Sequence, residues 1–175
     1  MENAQRKIDL LVIHCAATPN GRWTSTLDVD HWHATRTPPF KRRPPTARAR
    51  ALNPDLKAIG YHFAIYTNGA VATGRHPDEV GAHAIEQRAN HRGIGLLLIG
   101  TDKFTRAQWD SLAKEVVFLC AAFGIERRLA TASNGFTGVC GHRDLGARKT
   151  CPGFSVAEWL KGGLAPLDGH VLEGV

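Results

Sequence analysis

The stretch IDLLVIHC, Ile8 to Cys15, alternates so that Ile8, Leu10, Val12 and His14 share one face and Asp9, Leu11, Ile13 and Cys15 the other. Both faces are mainly apolar, which is the pattern of an inner strand rather than of an edge strand with a wet side. His14 therefore stands at the end of a buried strand, with Cys15 directed to the opposite face. A second apolar run, Ile94 to Ile99, reads as another inner strand, and Phe136 to Cys140 as a shorter one that leads into His142. Between Tyr61–Thr67 and Ala70–Thr73 lies Asn68-Gly69, the sequence of a two-residue hairpin turn.

Helices interleave with these strands. Ser25 opens a helix that runs to about Thr35, with Asp28 three residues on as its capping partner and Val29 and Trp32 as its inward stripe. Thr105 opens the longest one, closed into a capping box by Gln108; Trp109, Leu112, Ala113, Val116, Cys120 and Phe123 recur at helical spacing and Gly124 ends it. Ser155 caps a last helix through Leu160, and the residues after Pro166 read as a loose tail. The expected architecture is a single α/β domain, a central mixed sheet flanked by helices with its site at the strand ends, over residues 1–165, and a C-terminal tail at 166–175. At 175 residues with 43% hydrophobic side chains the chain has material for one full core.

Composition narrows the classes of function. No run approaches the roughly 20 apolar residues of a membrane span, and the opening residues lack the small-residue cleavage site of an export signal, so a cytoplasmic product is expected. Four cysteines in such a chain read as thiols or metal ligands rather than as a disulfide framework. The net charge is +6, and RTPPFKRRPPTARAR, residues 36–50, supplies six cations with no acid. Its four prolines predict an exposed, extended loop, either a plain solvated surface or a contact for an anionic envelope. No helix-turn-helix, zinc-finger or RNA-recognition pattern accompanies it, which argues against specific nucleic-acid binding.

The chemistry concentrates in GHRDLGARKTCPGF, Gly141 to Phe154. His14 and His142 both follow strands, so they can meet over the sheet, and Cys151 would complete a three-ligand zinc site with a fourth position open for catalysis. Taken singly, each of these residues is as easily an ordinary strand or loop residue. Cys120 reads as a core thiol and Cys15 and Cys140 as buried thiols. Asp144 reads either as a carboxylate that orients a ligand or loop or as a surface partner of Arg143 or Arg148. His31, His76, His91 and His170 read as solvated.

The segments VIHCAATP, GYHFAIYTNGAV, GAHA, NHRGIGLLLIG, FTRAQWDSL, GHRDL and RKTCPGF occur in the order seen in the zinc-dependent N-acetylmuramoyl-L-alanine amidases of the type 2 family, which includes small phage lysozyme-like amidases and is similar to peptidoglycan recognition proteins. The resemblance covers about Ile8 to Leu160. It implies one zinc per chain on His14, His142 and Cys151, with Tyr61 and Lys149 catalytic; His33 and His83 resemble positions that line the substrate cleft, and a surface or capping role fits each of them equally. His62, next to Tyr61, is expected on the other face of its strand and is not counted as a ligand. The implied reaction is hydrolysis of the amide between the lactyl group of N-acetylmuramic acid and the L-alanine of the stem peptide in peptidoglycan. The implied setting is a phage or prophage endolysin that reaches the wall after release from the cytoplasm. The alternatives are a cytosolic amidase that recycles muropeptides and a peptidoglycan-binding module without catalysis. The insert at residues 36–50 is longer than the compact phage enzymes lead one to expect.

Overall fold

Strand β1 (Leu10–Cys15) lies between two parallel neighbours, β4 (Gly93–Leu98) and β5 (Gly138–Gly141), and every one of its residues up to His14 is buried. That environment is why its apolar pattern is continuous rather than alternating. β2 (Phe63–Ile65) adds parallel to β4, and β3 (Val71–Thr73) closes that edge antiparallel, giving a five-stranded mixed sheet in the order β3-β2-β4-β1-β5. The structure is a computed structural model and describes residues 6–174.

Two layers cover the sheet. On the face of Leu11 and Ile13 packs α4 (Arg106–Phe123), through Trp109, Leu112, Val116 and Leu119, joined by Phe154 and by Trp159 of α5 (Val156–Lys161). α4 starts and stops where its sequence says: Thr105 and Gln108 form the reciprocal cap, and Gly124 takes the left-handed conformation at φ 65° that favours glycine. Truncating a fully buried member of this stripe such as Leu112 removes contacts worth about 2–5 kcal/mol. On the opposite face, α1 (Thr26–Thr35) packs Val29 against Leu56, Ile59, Ala64 and Leu97, while α3 (Ala89–Arg92) covers Leu10 and Val12. His14 belongs to this second face.

Several expectations change. Trp32 is 45% exposed, so Val29 alone of the expected pair faces inward; Asp30, turned to the same side, is buried and accepts from the backbone N–H groups of Ala58 and Ile59 at 2.7 Å each. The hairpin carries a three-residue loop, because Tyr66 N–H pairs with the Ala70 carbonyl and Gly69 N–H returns to the Tyr66 carbonyl. Segment 36–50 is not wholly extended: Thr46 caps a short helix, α2 (Ala47–Ala51). Arg42 is not a solvated cation either. Its guanidinium meets the Glu79 carboxylate at 2.5 and 3.1 Å, with side-chain exposures of 5% and 1%, and donates to the carbonyls of Asn53, Leu56 and Leu52. Nor are the residues after Pro166 loose. Val171 bridges Phe104, and the His170 carbonyl accepts from Phe104 N–H and from the Trp109 indole, while the His170 ring sits on the Asp102 carbonyl. His76 is likewise tied down, beside Asp78 at 3.3 Å.

Candidate metal and catalytic site

β1 and β5 deliver two histidines to one end of the sheet. His14 is the penultimate residue of β1, and His142 follows β5 directly, at the start of a short 3-10 turn. Asp144 shapes that turn by accepting from Gly141 N–H at 2.7 Å; the distance to Arg143 is 3.9 Å, so orientation of the loop is its main contact. The chain then comes back beneath itself. Arg143 N–H donates to the Cys151 carbonyl at 2.9 Å, and Gly141 leaves room for Pro152, since a Cβ there would lie 2.5 Å from the proline ring. This fastening is what sets Cys151 beside His142 although eight residues separate them in sequence.

One ligand atom from each of His14, His142 and Cys151 falls within 4.8 Å of the others. A tetrahedral centre with bonds of about 2.0–2.1 Å to nitrogen and about 2.3 Å to sulfur sets N and S about 3.6 Å apart, and His14 Nδ1 lies 3.7 Å from Cys151 Sγ. The donor set therefore fits zinc. Burial, more than the neighbouring imidazoles, holds the His14 pKa well below its ordinary value, so the ring is neutral and a lone pair is available. His142 has its Nε2 3.1 Å from Glu86, leaving Nδ1 as its other ring nitrogen. Sequence reasoning missed Glu86; a lone carboxylate between GAHA and β4 carries no signal until the fold brings it to a ligand.

Cys15 departs from its reading as a thiol turned away from the site. It is half-buried, lines the same cavity, and its N–H donates to Cys151 Sγ at 3.3 Å. The two thiols act on each other in opposite directions: the Cys151 thiol holds Cys15 down to about 7, while Cys15 and burial push Cys151 up. A cation among the three ligands would reverse that order, because a coordinating thiol gives up its proton. Cys140 and Cys120 are buried as expected.

The ligands open onto a cavity of about 990 Å³ lined also by Tyr61, His33, Arg36, Phe40, Arg148 and Lys149. Tyr61 meets His14 edge-on at 5.2 Å between ring centroids, and burial raises its phenol above the ordinary value. α1 holds the approach to Tyr61: besides the Asp30 contacts, Gly60 N–H donates to His33 Nδ1 at 2.9 Å. Burial lowers His33 to about 4. Lys149 is exposed and lines the cavity from the loop that carries Cys151. Among the described residues the lining includes Arg36, Arg148 and Lys149 and no carboxylate, a balance that draws anions.

His62 is not a ligand, but the expected reason fails. β2 begins only at Phe63, so strand alternation does not govern residues 61 and 62; His62 lies on the His14 side, its ring 5.7 Å from that of His83. It is spent elsewhere, with Nδ1 accepting from Gly95 N–H and Nε2 near the Glu79 carbonyl and Arg6. His83 reaches the cavity but is buried behind His14, its Nδ1 3.0 Å from His14 Nε2.

A family model described as N-acetylmuramoyl-L-alanine amidase matches residues 4–154. The chain belongs to this amidase family. Among the relatives of this amidase, the endolysin of Escherichia phage T7 is 29% identical over 159 residues, covering 86% of this chain and 84% of its own. The endolysin of Klebsiella phage KP32 is 25% identical over 157 residues, with 85% and 83% covered. Solved structures share the amidase fold: an endolysin N-acetylmuramoyl-L-alanine amidase, LysCS, from Clostridium intestinale gives a TM-score of 0.64 at 22% identity over 91% of this chain and 85% of that one. The Drosophila peptidoglycan recognition protein PGRP-LB gives 0.58 at 19% identity, with 90% and 81% covered.

Proposed function

We propose that this amidase uses one zinc ion, held by His14, His142 and Cys151, to hydrolyse the bond between the lactyl group of N-acetylmuramic acid and the L-alanine of the stem peptide, and that it serves as a phage or prophage endolysin. The observation that carries the reading is the meeting of two imidazoles and a thiol at the floor of an open cavity that Tyr61 and Lys149 also line. Three protein ligands leave a coordination position for chemistry, whereas structural zinc normally takes four.

When bound, the ion supplies Lewis-acid polarisation of the scissile carbonyl and lowers the pKa of an attacking water. The remaining work falls to the chain. Lys149 stabilises the negative charge that grows on the carbonyl oxygen. Tyr61, fixed against His14, orients the water or passes a proton to the departing amine. Glu86 anchors His142. Arg36 and Arg148 favour a substrate whose stem peptide carries free carboxylates.

The endolysin assignment is supported by the names of the phage relatives. No helix among the described residues is long and apolar enough to cross a membrane. The test combines metal analysis with two substrates. One zinc per chain is expected, together with clearing of purified sacculi and a new L-alanine amino terminus in the products. Full activity in the metal-free protein would defeat the mechanism, and cleavage confined to soluble muropeptides would favour a recycling enzyme.

A further inference from the structure

His83 is buried, reaches no substrate-facing position ahead of His14, and has a slot built for it. A Cβ on Gly95 would lie 2.6 Å from its ring carbons, and one on Gly81 would lie 2.5 Å from Cδ2 and 2.9 Å from Nε2. The backbone under the ring is fixed as well: Asn90 Oδ1 accepts from His83 N–H at 2.7 Å and from Ala84 N–H at 2.9 Å. Two glycines and an asparagine thus hold one imidazole in one orientation. What that orientation accomplishes is set by its two nitrogens.

His83 Nδ1 faces His14 Nε2 at 3.0 Å, and His83 Nε2 is fully buried without a hydrogen-bond partner among the described residues. The two facing nitrogens share one proton, and the metal reading decides where it lies, since His14 Nδ1 can hold an ion only if it carries no proton itself. The shared proton then belongs to His14 Nε2, His83 Nδ1 accepts it, and His14 Nδ1 keeps a free lone pair on the side of Cys151 Sγ, 3.7 Å away. The opposite arrangement would protonate His14 Nδ1 and close it to a metal.

We propose that His83 is a positioning residue, a buried hydrogen-bond acceptor that fixes His14 in the Nε2–H tautomer and so presents its Nδ1 to the metal. The inference rests on the metal-dependent reading of the site. It also makes the two histidine ligands unequal: His142 leans on a partly exposed carboxylate, His14 on a buried imidazole. Ligand histidines usually give their second N–H to a carboxylate, a carbonyl or water, and loss of such a partner costs roughly 10- to 100-fold in metal affinity.

Asparagine and leucine branch alike at Cγ and leave similar space, but only asparagine sets an acceptor where Nδ1 stood. The experiment strips the full-length protein with chelator, reloads it with zinc, and measures affinity by competition with a zinc-binding dye for wild type, His83→Leu and His83→Asn. His83→Leu is expected to bind roughly 10- to 100-fold more weakly, with His83→Asn close to wild type and the thermal unfolding of both metal-free variants alike. Equal affinities for the two variants would overturn the proposal. Long-range proton–nitrogen NMR of the wild-type protein without metal gives a second reading that needs no variant to fold: His14 should carry its proton on Nε2, and a proton on Nδ1 would overturn the proposal. Neither readout uses substrate. A wild type that binds zinc through His14 yet cleaves no muropeptide would defeat the amidase reading alone, whereas intact cleavage with unchanged zinc affinity in His83→Leu would remove His83 alone.

Discussion

His14 and Arg42 are both polar side chains taken out of water, one at the end of the sheet and one in the proline-rich insert, and they are held there differently. His14 is buried because its strand is. β4 and β5 pair with β1 on both sides, and the apolar residues before it fix which way the ring turns. Arg42 is buried because Glu79, 37 residues away, is buried opposite it, and because three backbone carbonyls complete its fork. The first arrangement is local pattern carried to its end; the second is a long-range charge pair that makes a loop into a wall. The consequence is that damage should separate cleanly: changes at the strand ends should remove chemistry and spare the fold, while changes at Arg42 should loosen the insert.

The largest effect tests the chemical half. Cys151→Ala should lose the metal and all measurable cleavage of a soluble muropeptide. Lys149→Ala and Tyr61→Phe should keep one zinc per chain and the fold while turnover falls by roughly 100- to 1000-fold, as when an oxyanion donor is removed. Loss of zinc in either of those two would mean that a supporting group had been taken for a catalytic one.

The structural half makes a stability prediction. Removing one member of a buried ion pair leaves the other charge uncompensated and costs about 3–5 kcal/mol, so Arg42→Ala should unfold at clearly lower urea. Arg43→Ala, one residue on and exposed, should stay within about 0.5 kcal/mol of wild type. Equal midpoints for the two would show that the Arg42–Glu79 pair does not organise the insert.

That contrast also marks where sequence reading works. The strands around His14, the caps at Ser25, Thr105 and Ser155, and the stop at Gly124 are short-range signals, legible because each depends on residues within one turn or one strand. The same holds for the three ligands, which stand at the end of a strand, directly after one, or in a loop dense with chemistry. Glu86, Asp30 and Glu79 give no such signal, since each acquires its role from a partner 28 to 56 residues distant. Trp32 and the hairpin fail for a third reason: an amphipathic stripe and an Asn-Gly pair are compatible with more than one geometry, and packing chose the other.

A smaller effect follows from the histidines on the α1 side of the sheet. Burial lowers His33 to about 4 and His83 to about 3, so both stay neutral in the fold while the unfolded chain takes up protons near the ordinary value of about 6.5. Because the unfolded state then binds more protons, stability is complete above about pH 6.5 and declines as pH falls towards about 4 for His33 and about 3 for His83. Urea midpoints of the metal-free protein across that window should fall steadily. His33→Asn keeps an acceptor for Gly60 N–H and removes one titration, so its decline should be shallower; an identical slope would place the acid sensitivity elsewhere.

The smallest expected effect concerns the exposed cations of the insert. Arg42 is occupied with Glu79, which leaves Lys41, Arg43, Arg48 and Arg50 on the outer surface and Arg36 held at the cavity by Pro38 and the Phe40 ring, 4.2 Å away. If the outer four draw the enzyme to an anionic wall, the attraction must weaken as salt shortens the Debye length from about 30 Å at 0.01 M to about 10 Å at 0.1 M. Chemistry at the ligands has no such dependence. Replacing those four by serine, with Arg36 and Arg42 left in place, should therefore slow lysis of whole sacculi mainly at low salt and leave cleavage of a small neutral muropeptide nearly unchanged. An equal fall on the small substrate at every salt concentration would mean that these residues shape the cavity, as Arg42 does from inside. No change on either substrate would make them a solvated surface and confine the insert's contribution to the wall that Arg42 holds up.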